Sequence, residues 1–213
     1  MPDLYEGFPK GFFAREDESD DAVFYAPARM VTHIDDLAIE TVGEIYRQLG
    51  VRGRVLDLMA SWVSHFIEPP HELTVLGMNE LELANNPVAE HRVIHDLNAD
   101  PRLPFPNQRF DDVVCCASVD YLIRPVEVFD EVNRVLEPGG RFVCTFSNRV
   151  FPTKAIRGWL HAPVEARPEI VAEYFRRSGG WDQLLTKQFV DGTASDPLWA
   201  VWATKAGGDT QSS

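Results

Sequence analysis

Five short apolar runs follow one another through the middle of this chain, and they leave few folds open. They occupy residues 54–58, 73–78, 92–95, 110–117 and 141–146. The runs are continuous rather than alternating, and a strand buried on both faces reads that way, which is the pattern of a parallel sheet. Parallel neighbours need long crossovers, usually helical, and helices are legible between the runs. Thr32 can cap one, with Asp35 three residues later. Ile34, Leu37, Ala38, Thr41, Ile45 and Leu49 then recur at helical spacing, and Gly50 stops it. Asn79 caps a short helix with Glu82 at the third position, closed by Asn86-Pro87. Pro125 opens another, with Val126, Phe129, Val132 and Leu136 on one face and Pro138-Gly139-Gly140 at its end. The stretch 61–66 has room for barely two turns before Pro69-Pro70.

The last third changes character. Pro168 opens a helix carrying Ile170, Val171, Tyr174 and Phe175, closed by Gly179-Gly180. Residues 186–190 and 198–204 read as strands joined through Gly192 and Pro197. The expected architecture is therefore a three-layer α/β fold, its sheet mostly parallel with an antiparallel C-terminal hairpin. With 213 residues, one domain is the default. Residues 1–30 combine Gly and Pro with six aromatics and read as an irregular arm or lid. Residues 31–205 form the single domain, and the polar tail 206–213 is expected to be disordered.

Charge and cysteine usage exclude several classes. A net charge of −13 disfavours a nucleic-acid backbone or an anionic membrane as partner. The run Glu16-Asp17-Glu18-Ser19-Asp20-Asp21 reads as a solvated segment. Cys115, Cys116 and Cys144 lie inside apolar runs without metal-site spacing, so they read as buried thiols of a reducing compartment. The N-terminus lacks a signal-peptide pattern, and no apolar run approaches the ~20 residues of a membrane span. A cytoplasmic protein without a metal is expected, of unspecified oligomeric state.

Several segments resemble those of class I, Rossmann-like, S-adenosylmethionine-dependent methyltransferases. Val55-Leu56-Asp57-Leu58 is similar to their first strand, Val75-Leu76-Gly77-Met78-Asn79 to their second, and His95-Asp96-Leu97 to the end of their third. Phe110-Asp111-Asp112-Val113-Val114 is similar to the start of their fourth. The most specific segment is Arg134-Val135-Leu136-Glu137-Pro138-Gly139-Gly140-Arg141-Phe142, which resembles the helix-turn-strand leading into the fifth and is typical of the small-molecule branch. The resemblance spans roughly residues 50–205.

That resemblance implies S-adenosylmethionine (SAM) as cofactor and a small-molecule substrate. In open α/β sheets a ligand sits beyond the carboxyl ends of the strands, where strand order reverses. By resemblance Asp57 lies near the amino group of the methionine moiety, with Met59, Ala60 and Ser61 in the cofactor turn. Asn79 stands where the family usually has an acid for the ribose hydroxyls. Asp96, with the Leu97 backbone, would hold the adenine amino group. Ala117 and Ser118 would flank the sulfonium side, and Asp120 and Tyr121 are the candidate catalytic groups near the acceptor.

Two departures stand out. The family's turn is Gly-x-Gly-x-Gly, whereas Met59, Ser61 and Val63 occupy those positions here. Valine resists the positive φ that glycine accepts, so the turn must run differently or the ligand must sit further away. Asn79 lacks the charge-assisted strength of a carboxylate. Weaker cofactor affinity than in a standard member is expected.

Other residues carry paired readings. Ser61, Ser64 and His65 would contact a methionine carboxylate or substrate, or are plain helix surface. Trp62 would stack on a ring or plug the pocket. Tyr25, Arg29 and His33 belong to a substrate cover, or His33 is a structural histidine. Arg149, Lys154 and Arg157 would receive an acidic substrate or form a solvated face. Methyl transfer to a small molecule is the leading expectation. The alternative is a non-catalytic binding or regulatory protein that lost cofactor chemistry with its glycine turn. A nicotinamide oxidoreductase is disfavoured because no Gly-x-Gly-x-x-Gly follows the first strand.

Overall fold

A computed structural model describes residues 3–207. The strands are β1 (Arg54–Leu58), β2 (Glu72–Gly77), β3 (His91–Ile94), β4 (Phe110–Cys116), β5 (Leu136–Phe146), β6 (Trp181–Val190) and β7 (Leu198–Lys205). The α-helices are α1 (Asp21–Tyr25), α2 (Asp36–Leu49), α3 (Glu80–Ala84), α4 (Pro125–Val135), α5 (Arg157–His161) and α6 (Arg167–Ser178). One seven-stranded sheet runs β3-β2-β1-β4-β5-β7-β6. β1 to β5 pair in parallel, while β7 is antiparallel to both β5 and β6. The α/β architecture with its closing hairpin is thus the one read from the sequence. The expected disordered tail lies, but for Ala206 and Gly207, outside the described residues.

Strand parity divides the core into two layers. Leu56, Leu58, Val113, Cys115, Phe142 and Cys144 face α4 and α6, where Phe129, Val132, Tyr174 and Phe175 pack. Val55, Leu73, Val75, Val114 and Val143 face α2, against Ala38, Val42, Ile45 and Tyr46. Full burial of each such side chain is worth about 1.5–3 kcal/mol, so both faces need a helical cover. Asp57 belongs by parity to the α2 face. That places a carboxyl group beneath a helix rather than in open solvent.

Strand order reverses at β1, which pairs with β2 on one side and β4 on the other. The crevice expected of such sheets opens there. Locally the structure corrects three expectations. α4 stops at Val135, so Leu136 and the Pro138-Gly139-Gly140 expected to close it belong to β5. α2 is capped by Asp35 itself, whose side chain accepts from Ala38 N, instead of by Thr32. The crossover from β1 to β2 contains no helix, because residues 59–71 run as an extended loop to the end of the crossover. Pro69-Pro70 leaves too few residues ahead of it for a nucleated helix, which is marginal at such length.

Candidate active site

The residues at the carboxyl ends of β1, β2, β3 and β4 enclose a cavity of about 290 Å³. Met59, Ala60, Ser61, Ala117 and Ser118 form its floor, Gly77 to Asn79 with Leu97 and Asn98 one wall, and Tyr121, Arg149 and Phe151 the other. The N-terminal arm supplies the cover through Asp21, Tyr25, Arg29, Thr32 and His33. A smaller hollow of about 60 Å³ shares the same floor and holds Asp57, Ser64, His65 and Tyr46. The two adjoin through shared lining residues as one trough, roomy at one end and reaching the buried Asp57 at the other.

Two of the four non-glycine residues with positive φ among the described residues lie at the floor, the others being Gln108 and Gln183. Met59 has φ 56° and Ala117 φ 51°, both left-handed without being glycine. Such a residue costs about 1–2 kcal/mol, and strain of this kind clusters at ligand sites. Of the three positions where the family has glycine, only Met59 takes the left-handed conformation; Ser61 and Val63 do not. The loop reaches its path by another route, with Ala60 N donating to Leu76 O across the β1–β2 rim. Gly77 makes that approach possible, since a Cβ there would stand 2.3 Å from Ala60 O.

Asp57 has a relative exposure of 5%. Among the described residues its carboxyl takes one hydrogen bond, from Ser64 Oγ at 2.5 Å. Burial raises its pKa to about 7, only partly offset by that bond. The buried Tyr46 hydroxyl lines the same hollow without a partner. A half-compensated carboxyl beside an orphaned hydroxyl is costly in an apo protein and fits a polar, cationic ligand group. Ser61 turns the other way and donates to Glu82 Oε2 at 2.6 Å. Trp62 donates its indole N–H to Val31 O at 3.0 Å and lines only the smaller hollow, so it does not plug the main cavity.

The other site residues are distributed unevenly. Asn79 lines the cavity, but its amide is already engaged: Oδ1 accepts from Glu82 N as the cap of α3, and Nδ2 donates to Tyr25 O and Ala26 O. Asp96 caps the turn that follows, accepting from Asn98 N and Ala99 N, and Leu97 is on the wall. Tyr121 also lines the wall, and its hydroxyl accepts from Phe151 N at 2.8 Å. Burial, reinforced by the charge of Asp120, keeps that hydroxyl protonated. Asp120 itself faces inward. It is one residue off the wall on the 3₁₀ turn Val119–Tyr121, burial raises its pKa to about 7, and its Oδ2 has no partner.

Each of the two stretches expected to be solvated is exposed in most of its charges, at Glu16, Glu18, Asp20, Arg149 and Arg157, but buries one of them. Asp21 is buried and meets Arg15, while the fully buried Lys154 reaches both Asp21 and Asp17. Asn98 Nδ2 adds a bond to Asp21. Asp21 and Asp17 therefore anchor the arm, and Lys154 is no part of an anion-binding face. Arg149 pairs with Asp196. His33 does reach the site: it stands at the mouth of both hollows, and burial, with Arg29, holds its imidazole below its ordinary pKa despite the opposing charge of Glu82. Sequence reasoning treated Glu82 only as a helix-capping partner, and Asn98 and Phe151 carried no signal. Their role depends on loops that meet only in space.

Comparison with known proteins agrees with this geometry. A family model described as a methyltransferase domain matches residues 61–144. Over that segment the chain resembles a methyltransferase domain. The match begins at Ser61, beyond the strand-end acid and the first residues of the altered turn. None of the curated proteins matches the chain in sequence. Among solved structures, a Burkholderia thailandensis 1,6-didemethyltoxoflavin N1-methyltransferase with bound 1,6-didemethyltoxoflavin and S-adenosylhomocysteine aligns with a TM-score of 0.59 at 18% identity, over 81% of this chain and 80% of that one. A SAM-dependent methyltransferase from Mesorhizobium loti aligns with a TM-score of 0.53 at 18% identity, over 76% and 96%. The cyclase SpnF aligns equally well, with a TM-score of 0.59 at 14% identity over 88% and 92%. At these identities the superpositions show the fold alone, that of SAM-dependent methyltransferases; the reaction must be argued from the site. No helix among the described residues is long and apolar enough to cross a membrane.

Proposed function

We propose that the protein transfers a methyl group from SAM to a small molecule. One observation carries this reading: the trough at the reversal of strand order ends in Asp57, a buried carboxyl with a raised pKa and a single hydroxyl partner. A perturbed carboxyl in a cleft is a functional-site signal, and an α-ammonium group is the charge that would compensate it. When bound, SAM supplies a methyl group on a sulfonium, open to in-line displacement. The protein's part is then mainly proximity and orientation.

The residues divide that work by position. Asp57 with Ser64 receives the amino end, and Met59, Ala60 and Ser61 form the turn beneath it. Asn79 and Leu97 border the nucleoside end, with Asp96 beside Leu97 one residue off the wall. Ser118 stands on the floor towards the acceptor, below Tyr121. His33 remains largely neutral at neutral pH and can take a proton from an acceptor hydroxyl or amine. Asp120 supports the wall from behind Tyr121 without touching the acceptor. The enclosed cavity and acidic surface support a small-molecule acceptor over nucleic acid, and three free thiols support the reducing, cytoplasmic setting.

A non-catalytic adenosyl-binding protein is the second reading. It is favoured by the engagement of Asn79 with the arm and by the glycine-free turn. Thermal unfolding with S-adenosylhomocysteine, followed by a turnover assay with labelled SAM against small-molecule extracts, tests both. A rise in Tm with methyl transfer supports the enzyme, and a rise without transfer supports the second reading. No rise at millimolar ligand refutes both.

A further inference from the structure

We infer that Glu82, not Asn79, receives the ribose hydroxyl pair of the adenosyl ligand, and that the backbone of the N-terminal arm holds it ready. The inference rests on the SAM reading of the cleft. Asn79 is nearly exhausted. An amide has two N–H donors and one oxygen; both donors go to the arm carbonyls of Tyr25 and Ala26, and the oxygen already caps α3. Asn79 therefore has no donor left and only one acceptor site.

Glu82 is the opposite case. It lies one helical turn further on, at the third position of α3, and lines the same cavity. Its two hydrogen bonds come from a neutral hydroxyl, Ser61 Oγ, and a backbone amide, Arg29 N, each at 2.6 Å and on separate oxygens. A carboxylate offers about four acceptor sites, so each oxygen keeps one free. Two adjacent acceptors match a vicinal diol, which donates two hydrogen bonds side by side. The carboxylate that is missing at the end of β2 has in effect moved along the chain by three residues, which on a helix returns it to the same face.

The arm completes the arrangement. Asn79 grips its carbonyls, Glu82 takes the N–H of Arg29, and the Trp62 indole binds Val31 O. The buried Arg15–Asp21–Lys154 cluster fixes its other end. Arm and nucleoside are thus held by neighbouring atoms of one side chain, and the order of one stabilises the position of the other.

Calorimetric titration with S-adenosylhomocysteine and with its 2′,3′-dideoxy analogue tests the assignment. The wild-type protein should prefer the diol by roughly 10- to 100-fold, the range for hydrogen bonds to a charged group. Glu82→Gln, isosteric but uncharged, and Glu82→Asp, charged but shorter, should each reduce that preference several-fold, over and above any weakening common to both ligands that a looser arm brings. Asn79→Ala should weaken both ligands equally, because it loosens the arm and leaves the diol acceptor in place. Full diol preference in both Glu82 variants, or its loss in Asn79→Ala, would overturn the assignment. Failure of the wild type to bind S-adenosylhomocysteine at all would instead sink the SAM reading, and this inference with it.

Discussion

Changing Asp57 to asparagine should make ligand binding insensitive to pH while making the empty protein more stable. The carboxyl is buried, and its pKa rises from 3.8 to about 7. That difference corresponds to about 4 kcal/mol of penalty for the ionised form, an upper bound because the interior relaxes. The sign follows from proton linkage. A folded-state pKa above the unfolded value means the native state holds the extra proton, so stability falls as pH rises from 3.8 and levels off above about 7. At pH 8 the apo protein therefore bears the full penalty, and Asp57→Asn should raise Tm there but not at pH 4. Binding behaves oppositely. An α-ammonium group needs the ionised carboxylate, so affinity for S-adenosylhomocysteine should drop about tenfold, ~1.4 kcal/mol, for each pH unit below about 7 and plateau above it. Adenosine lacks the ammonium group and should bind with no such slope. Isothermal titration from pH 5.5 to 8.5 reads all of this, with proton release on binding visible in buffers of different ionisation enthalpy. A flat affinity profile in the wild-type protein, or an equal slope for adenosine, would refute the placement of the amino end at Asp57.

The remaining predictions concern the scaffold. Phe129 packs edge-on against Phe142, Tyr174 and Phe175 with ring centroids 4.8, 5.5 and 4.8 Å apart, so Phe129→Ala should cost about 3–5 kcal/mol in urea unfolding; a loss below 1 kcal/mol would show that the site collapses around the cavity. Lys154→Met leaves Asp21 with Arg15 as its one ion-pair partner and should destabilise by roughly 3–5 kcal/mol, with the arm becoming the first site of proteolytic cleavage; an unchanged cleavage pattern would deny the cluster its anchoring role. Asp120 has a raised pKa of about 7 and an unpartnered oxygen. Asp120→Asn should therefore raise Tm at pH 8, lose that gain towards pH 4, and leave KM for the acceptor unchanged, since the side chain does not line the cavity; a fall in kcat with no change in Tm would restore it to the catalytic group.

Fold and site were legible to different depths. The parallel sheet, its terminal hairpin and four of the helices follow from local signals: continuous apolar runs, Gly50 in left-handed conformation at the end of α2, Pro125 and Pro168 in the first turns of α4 and α6, and Asn79 as a cap. Each signal acts within a few residues, where backbone sterics and burial periodicity decide the outcome. Asp57 could be placed for the same reason, because a strand-end acid in an open sheet has only one rim to occupy. What the altered turn would do was not readable. Met59 takes its positive φ where Ala60 packs over Gly77, a contact between the loop after β1 and the end of β2.

The chain's local pattern by itself determined the layers, the strand order's consequences and the rim on which any ligand must sit, because apolar periodicity and chain reversals are short-range properties. Only the tertiary structure decided which polar atoms remain free at that rim. It spent Asn79 on the arm, buried Lys154 and Asp21 in a charge cluster, turned Asp120 inward and brought Glu82 and His33 to the cavity. The physical reason is that a hydrogen-bonding group has few valences, and which partner claims them depends on segments tens of residues apart in sequence that meet only when the sheet is assembled.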